Sequence, residues 1–138
     1  MILTKVIRNL DGSRILIAEK ELDCAAGMAR TMAQAGATVL GPTGTLAETC
    51  SLMRRSKPNI AVLDLGLGAG DWPSFVEELI ERRVPALFYV KMPEPRPRLL
   101  LRNQVAYPAG PQDEEMLPAL VSLVRARWPA RPLGVQRT

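Results

Sequence analysis

The sequence predicts an α/β domain built on a doubly wound, five-stranded parallel sheet with strand order 2-1-3-4-5. Three observations point there. Short apolar runs alternate along the chain with segments whose apolar residues recur every three or four positions. The runs are continuously hydrophobic, as parallel strands covered on both faces are. At 138 residues and 47% hydrophobic content, the chain suffices for one proper core and is too short for two comfortable ones. Right-handed crossovers then leave few topologies, of which this order is the most economical.

The first run, "RILIA" (14–18), is rich in β-branched residues and reads as a buried strand. From Leu22 the period changes: Leu22, Ala25, Ala26, Ala29, Met32, Ala33 and Gly36 mark a helical face, which Gly36 stops. "TVL" (38–40) is the second strand, closed by Gly41-Pro42. Thr45 is placed to cap the second helix, with Glu48 three residues on as in a capping box; Leu46, Cys50 and Met53 give its inner face and Lys57-Pro58 ends it. Ile60–Leu63 is the third strand. Asp71 and Pro73 signal a helix start, and Phe75, Val76, Leu79 and Ile80 form its inner side.

"PALFYV" (85–90) is the fourth strand. In the following "KMPEPRPRLLLRN", Pro93, Pro95 and Pro97 cannot sit inside a helix, since each lacks a donor and collides with the preceding turn. The fourth helix is therefore short or irregular and begins near Arg96. "QVAY" (104–107) is the fifth strand, ended by Pro108. Leu117, Leu120, Val121, Val124 and Trp128 mark a last amphipathic helix in which Pro118 forces a late start or a kink. The domain is expected over 13–128, with an N-terminal arm (1–12) and a basic C-terminal tail (129–138).

Composition excludes several classes. Histidine is absent, which removes His-dependent hydrolase triads and His-ligated zinc sites. The two cysteines, Cys24 and Cys50, form no CxxC pair and are expected on helices, buried and unbonded, in a reduced, cytoplasmic protein. No run approaches the ~18–20 apolar residues needed to cross a bilayer, and no N-terminal segment has the pattern of a leader. The net charge of +4 is carried in part by Arg125, Arg127, Arg131 and Arg137. Without a helix-turn-helix, zinc spacing or interleaved aromatics, this reads as a solvated tail rather than a nucleic-acid footprint.

In the 2-1-3-4-5 order, ligands bind where the strand order reverses, at the carboxyl ends of strands 1 and 3. Glu19 and Asp64 occupy those ends. After Asp64, "LGLGAGDWP" supplies Gly66, Gly68 and Gly70 in G-x-G-x-G spacing. A dinucleotide loop needs G-x-G-x-x-G, normally on the first strand, and Asp71 stands where a phosphate would approach. A flavin phosphate loop would need hydroxyls after strand 1, where "AEKELD" has carboxylates. A flavodoxin-like small-ligand domain is thus a remote alternative. The pocket lacks a base and a hydroxyl nucleophile, so no enzyme is expected.

"RILIAEKEL", "AQAGATVLGPTGTLAET", "PNIAVLDLGLG", "VPALFYV" and "VAYPAGPQDEEML" together resemble the receiver domain of two-component response regulators, over about Ser13 to Trp128. The resemblance implies a flavodoxin-like fold. It also implies a phosphoacceptor aspartate at the end of strand 3, two acids at the end of strand 1 that help it hold Mg²⁺, a hydroxyl ending strand 4 and a lysine ending strand 5. Asp64 matches the phosphoacceptor, Gly66 the residue whose carbonyl faces the metal, and Glu19 the first acid. The second acid falls on Lys20, the strand-4 hydroxyl on Val90, the small residue after it on Lys91, and the strand-5 lysine on Tyr107, with Pro108 kept as a cis-peptide position.

Moving a phosphoryl group onto a carboxylate brings like charges together, so a divalent cation must neutralise them. Lys20 removes an oxygen ligand and adds a repelling charge, worth about 4 kcal/mol at ~4 Å and an effective dielectric near 20. The substitutions point to an atypical receiver that uses no cofactor, its Lys20 or Lys91 ammonium standing in for the metal beside Asp64. The alternative is a conventional phosphoacceptor, with Mg²⁺ held by Glu19, Asp64 and Gly66. The implied partner is a protein, a sensor kinase or downstream effector in two-component or phosphorelay signalling, with no membrane or nucleic-acid role. With no effector domain expected, output passes through a second chain. The surface of helix 4, strand 5 and helix 5, with Arg96, Arg98 and Arg102 beside Leu99, Leu100 and Leu101, is the expected contact or homodimer face.

Overall fold

A computed structural model describes residues 10–89, the backbone of 105–107, and Pro118, Leu120, Val121 and Leu123. In chain order its elements are β1 (Arg14–Ala18), α1 (Leu22–Gln34), β2 (Thr38–Thr43), α2 (Leu46–Ser56), β3 (Ile60–Asp64), α3 (Trp72–Glu81), β4 (Ala86–Tyr89) and β5 (Val105–Tyr107). The strands form one parallel sheet in the order β2-β1-β3-β4-β5. This is the doubly wound arrangement expected from the sequence.

Alternation along the strands separates two cores. Ile15, Ile17, Ile60, Val62, Leu87 and Tyr89 face one side, with Met28 and Met32 of α1, Leu10 and Leu120. Leu16, Ala18, Ala61, Leu63, Ala86 and Phe88 face the other, with Leu46 and Met53 of α2 and Phe75, Val76 and Leu79 of α3. Every residue of β3 is buried, which explains why that strand reads as unbroken hydrophobicity up to its terminal aspartate.

Several helix signals act as expected. Thr45 caps α2, its hydroxyl accepting from the Glu48 amide at 3.1 Å, while the Glu48 carboxylate reaches back to the Gly44 amide at 3.0 Å. Asp71 caps α3 by accepting from the Ser74 amide at 3.0 Å. Lys57 ends α2 in the left-handed conformation, φ 51°.

Four expectations need correction. The buried face of α1 is Ala25, Met28 and Met32, with Ala29 partly buried; Leu22 is 78% exposed and Ala26 and Ala33 face solvent. The apolar face read from the sequence is too wide because alanine is at home on either side of a helix. Cys24 and Cys50 form no disulfide, as expected, but are only half-buried. On the inner face of α2, Thr49 rather than Cys50 is fully buried, its hydroxyl satisfied by Thr43 at 2.6 Å and by the Thr45 carbonyl at 2.7 Å.

β2 also runs past Gly41-Pro42 to Thr43, because the ladder to β1 shifts register between Leu16 and Ala18 and then resumes at Ala18–Thr43. Gly41 takes φ 101°, and a Cβ there would lie 2.8 Å from the Ile17 carbonyl oxygen. The glycine therefore permits a bulge rather than a strand end. The fourth connection, expected to be irregular, the N-terminal arm up to residue 9 and the C-terminal tail lie outside the described residues.

Candidate functional site

The ladder brings the site residues to one rim. Ala18 of β1 pairs with Leu63 of β3, so Glu19 and Asp64, each the next residue, end their strands side by side. Asp64 pairs in turn with Tyr89 of β4, and Tyr89 with Tyr107 of β5. Glu19 and Asp64 are each only 2% exposed, and Tyr89 is fully buried.

Two buried carboxylates at a sheet edge must be hydrogen-bonded to be tolerated. Glu19 meets this condition at both oxygens. Oε1 accepts the phenol hydroxyl of Tyr89. Oε2 accepts the Glu21 amide at 2.9 Å. Glu21 is the N-cap of α1 and supplies no side-chain cap of its own, so Glu19 ties β1, β4 and the start of α1 together. The Glu21 carboxylate instead accepts the Cys24 thiol at 3.1 Å. Asp64 Oδ1 accepts the Gly66 amide at 2.8 Å, and its backbone carbonyl accepts the Leu67 amide. The turn after β3 is thereby folded back on the aspartate.

Burial pushes the Tyr89 phenol well above the ordinary tyrosine range, reinforced by its hydrogen bond to Glu19 and by the negative charge of Glu19 and Asp64. The hydroxyl keeps its proton and remains a donor to Glu19.

The three glycines after Asp64 have structural work that needs no phosphate. Gly68 and Gly70 take φ 120° and 154°. A Cβ on Gly70 would meet Leu46 Cδ2 at 2.6 Å, so the loop lies directly on α2. The Gly68 carbonyl accepts the Trp72 indole N–H at 3.1 Å, and that indole packs edge-on against Phe75 and Phe88. Trp72 thus reports on the Asp64 loop from the α2–α3 side of the sheet.

Of the sequence-derived site residues, the structure brings together Glu19, Asp64 and Gly66. Lys20 follows Glu19 on the β1–α1 connection; it is exposed, and its Cβ faces Gly44 of the β2–α2 loop. Tyr107 has its backbone in register with Tyr89, at the expected end of β5. Val90, Lys91, Pro108 and the Arg96–Arg102 surface lie outside the described residues.

Sequence reasoning misses Tyr89. A signal for it exists: it is the one hydroxyl in "PALFYV", and alternation from Leu87 puts it on the face of Glu19 and Asp64.

The receiver-like arrangement implies Mg²⁺, which takes six oxygen ligands in near-octahedral geometry. The residues present fit it poorly. Both Glu19 oxygens already accept protein donors, and the next position is Lys20. Among the described residues no three His, Cys, Asp or Glu side chains gather as metal ligands. No described helix is long and apolar enough to cross a membrane.

No protein-family model and no curated protein matches the chain. Solved structures do. A two-component response regulator from Clostridium difficile superposes with a TM-score of 0.65 at 17% identity, over 82% of this chain and 96% of that one. The non-phosphorylated HemR receiver domain from Leptospira biflexa gives 0.60 at 22% identity, over 87% and 98%. The response regulator PhyR from Brucella abortus gives 0.59 at 21% identity, over 88% of this chain, which spans 50% of that longer one. With the strand order and the acidic rim, these likenesses establish that the chain has the fold of a response-regulator receiver domain.

Proposed function

We propose that this chain is a pseudo-receiver: a receiver-fold adaptor in bacterial two-component or phosphorelay signalling that acts through protein–protein contact without a phosphoryl group on Asp64. The observation that supports this best is the state of Glu19. The acid that would help neutralise an incoming phosphoryl group is buried, with both oxygens engaged inside the protein. The adjoining acid position is Lys20, whose charge opposes a divalent cation. Val90 and Lys91, where receivers carry a hydroxyl and a small residue, offer neither a hydrogen-bonding switch nor an open entrance. An ammonium from Lys20 or Lys91 serves Asp64 in place of the metal, and no cofactor is required. Partners are a sensor kinase or downstream effector, with the surface of residues 96–107 and the last helix as contact or homodimer face.

The second reading, a conventional phosphoacceptor at Asp64, draws on the retained Asp64–Gly66 geometry. Trp72 distinguishes the two, because its indole is bonded to the Asp64 loop. Its fluorescence is followed while Mg²⁺ is titrated with and without beryllofluoride. The pseudo-receiver gives no saturable change. A saturable, beryllofluoride-enhanced change would establish the second reading.

A further inference from the structure

The hydroxyl of Tyr89 donates to Oε1 of Glu19, and both residues are buried. We propose that Tyr89 is an internal substitute for the cation, its hydroxyl proton occupying Glu19 Oε1 so that the acidic pocket is closed from within. The inference rests on the reading of this pocket as one that no longer takes Mg²⁺, and it names the residue responsible.

Register fixes the geometry. Tyr89 pairs with Asp64 on the neighbouring strand, and its side chain crosses β3 to reach Glu19 at the end of β1. Its backbone is held in place as well, the Tyr89 carbonyl accepting the Leu65 amide at 2.9 Å. The ring belongs to the α1-side core with Ile17, Val62 and Leu87 and is fully buried. It therefore has no solvent-facing rotamer to retreat to without leaving a cavity. A phenol brings one proton and no net charge. It can satisfy one carboxylate oxygen where a divalent cation would satisfy several, so it stabilises the isolated domain without creating a site that ligands can switch.

Two independent obstacles to a cation follow: the charge of Lys20 and the engagement of Glu19 by Tyr89. Reversing the charge alone does not make a site. Mn²⁺ binding is measured by isothermal titration on the full chain, on Lys20→Asp, and on Lys20→Asp/Tyr89→Phe, which keeps the ring and removes only the hydroxyl. Lys20→Asp/Tyr89→Leu serves as a second, smaller replacement, and near-ultraviolet circular dichroism checks each fold.

The expected result is no saturable binding to the full chain, weak binding to Lys20→Asp, and at least tenfold tighter binding to a folded double variant. Equal affinity for Lys20→Asp and the double variants would overturn the role of Tyr89 while leaving the pseudo-receiver reading intact. The absence of binding to folded double variants would overturn it as well. Saturable binding to the unmodified chain would remove both readings.

Discussion

Tyr89 donates its phenol hydroxyl to Glu19 across the strand that carries Asp64, joining β4 to β1 over two strand spacings, roughly 10 Å. Glu19 in turn holds the amide of Glu21, the N-cap of α1. One buried carboxylate thus couples three elements at the rim where a receiver fold works. Removing the hydroxyl leaves Glu19 buried with a lost partner, at a cost of about 1–3 kcal/mol. Tyr89→Phe is accordingly expected to lower the unfolding free energy by that amount in urea titrations, through an earlier midpoint with an unchanged slope.

The same phenol makes a pH signature. Its folded-state value lies above the ordinary 10.0, chiefly from burial and then from the hydrogen bond to Glu19. A group raised in the folded state contributes stability that is complete below the unfolded value and is lost as pH climbs beyond it. Stability should therefore fall above pH 10, by up to about 1.4 kcal/mol per pH unit for this one proton. Tyr89→Phe should remove that component of the slope in denaturant titrations run across the alkaline range.

At the acid end the relevant group is Glu78 of α3. The Arg54 guanidinium, bonded to it at 2.8 Å through two nitrogens, and Arg82 at 2.9 Å hold its carboxyl down at about 2, against the opposing effect of partial burial. A depressed value means stabilisation present above the unfolded value of 4.5 and lost as pH falls towards 2. Because Arg54 is more than half exposed, solvent and salt screen the pair. Glu78→Gln should flatten the stability profile between those pH values, and added salt should flatten the wild-type profile in the same direction.

Gly70 tests the packing role assigned to the loop after Asp64. Its φ of 154°, and the 2.6 Å separation between Leu46 Cδ2 and the place a methyl group would take, leave no room for a side chain. Gly70→Ala should destabilise the domain by about 1–3 kcal/mol through overpacking, and it should shift Trp72 emission, since the indole is anchored to the same loop. An unchanged midpoint and spectrum would mean that the loop is free of α2.

The sheet order and the rim were legible because continuous apolar runs and right-handed crossovers leave little choice, and a strand end is marked by its first polar residue, as at Glu19 and Asp64. Capping was legible at Thr45 and Asp71, where a short polar side chain and its target amide are three residues apart. What escaped was long-range or ambiguous in chemistry. The alanines of α1 give no contrast between its faces. Gly41-Pro42 has the composition of a stop yet carries a bulge whose continuation depends on pairing with Ala18. Tyr89 reads as one more apolar strand residue because its partner is 70 positions away. A tyrosine is apolar or polar according to what its hydroxyl meets, and that is decided by register.

The central claim is that Asp64 is no longer a phosphoryl acceptor, and intact mass after incubation with acetyl phosphate and Mg²⁺ tests it most directly. The account predicts one species of unchanged mass, with no adduct on either the unmodified chain or Asp64→Asn treated in the same way. A phosphoryl adduct on the unmodified chain that Asp64→Asn fails to acquire would contradict it.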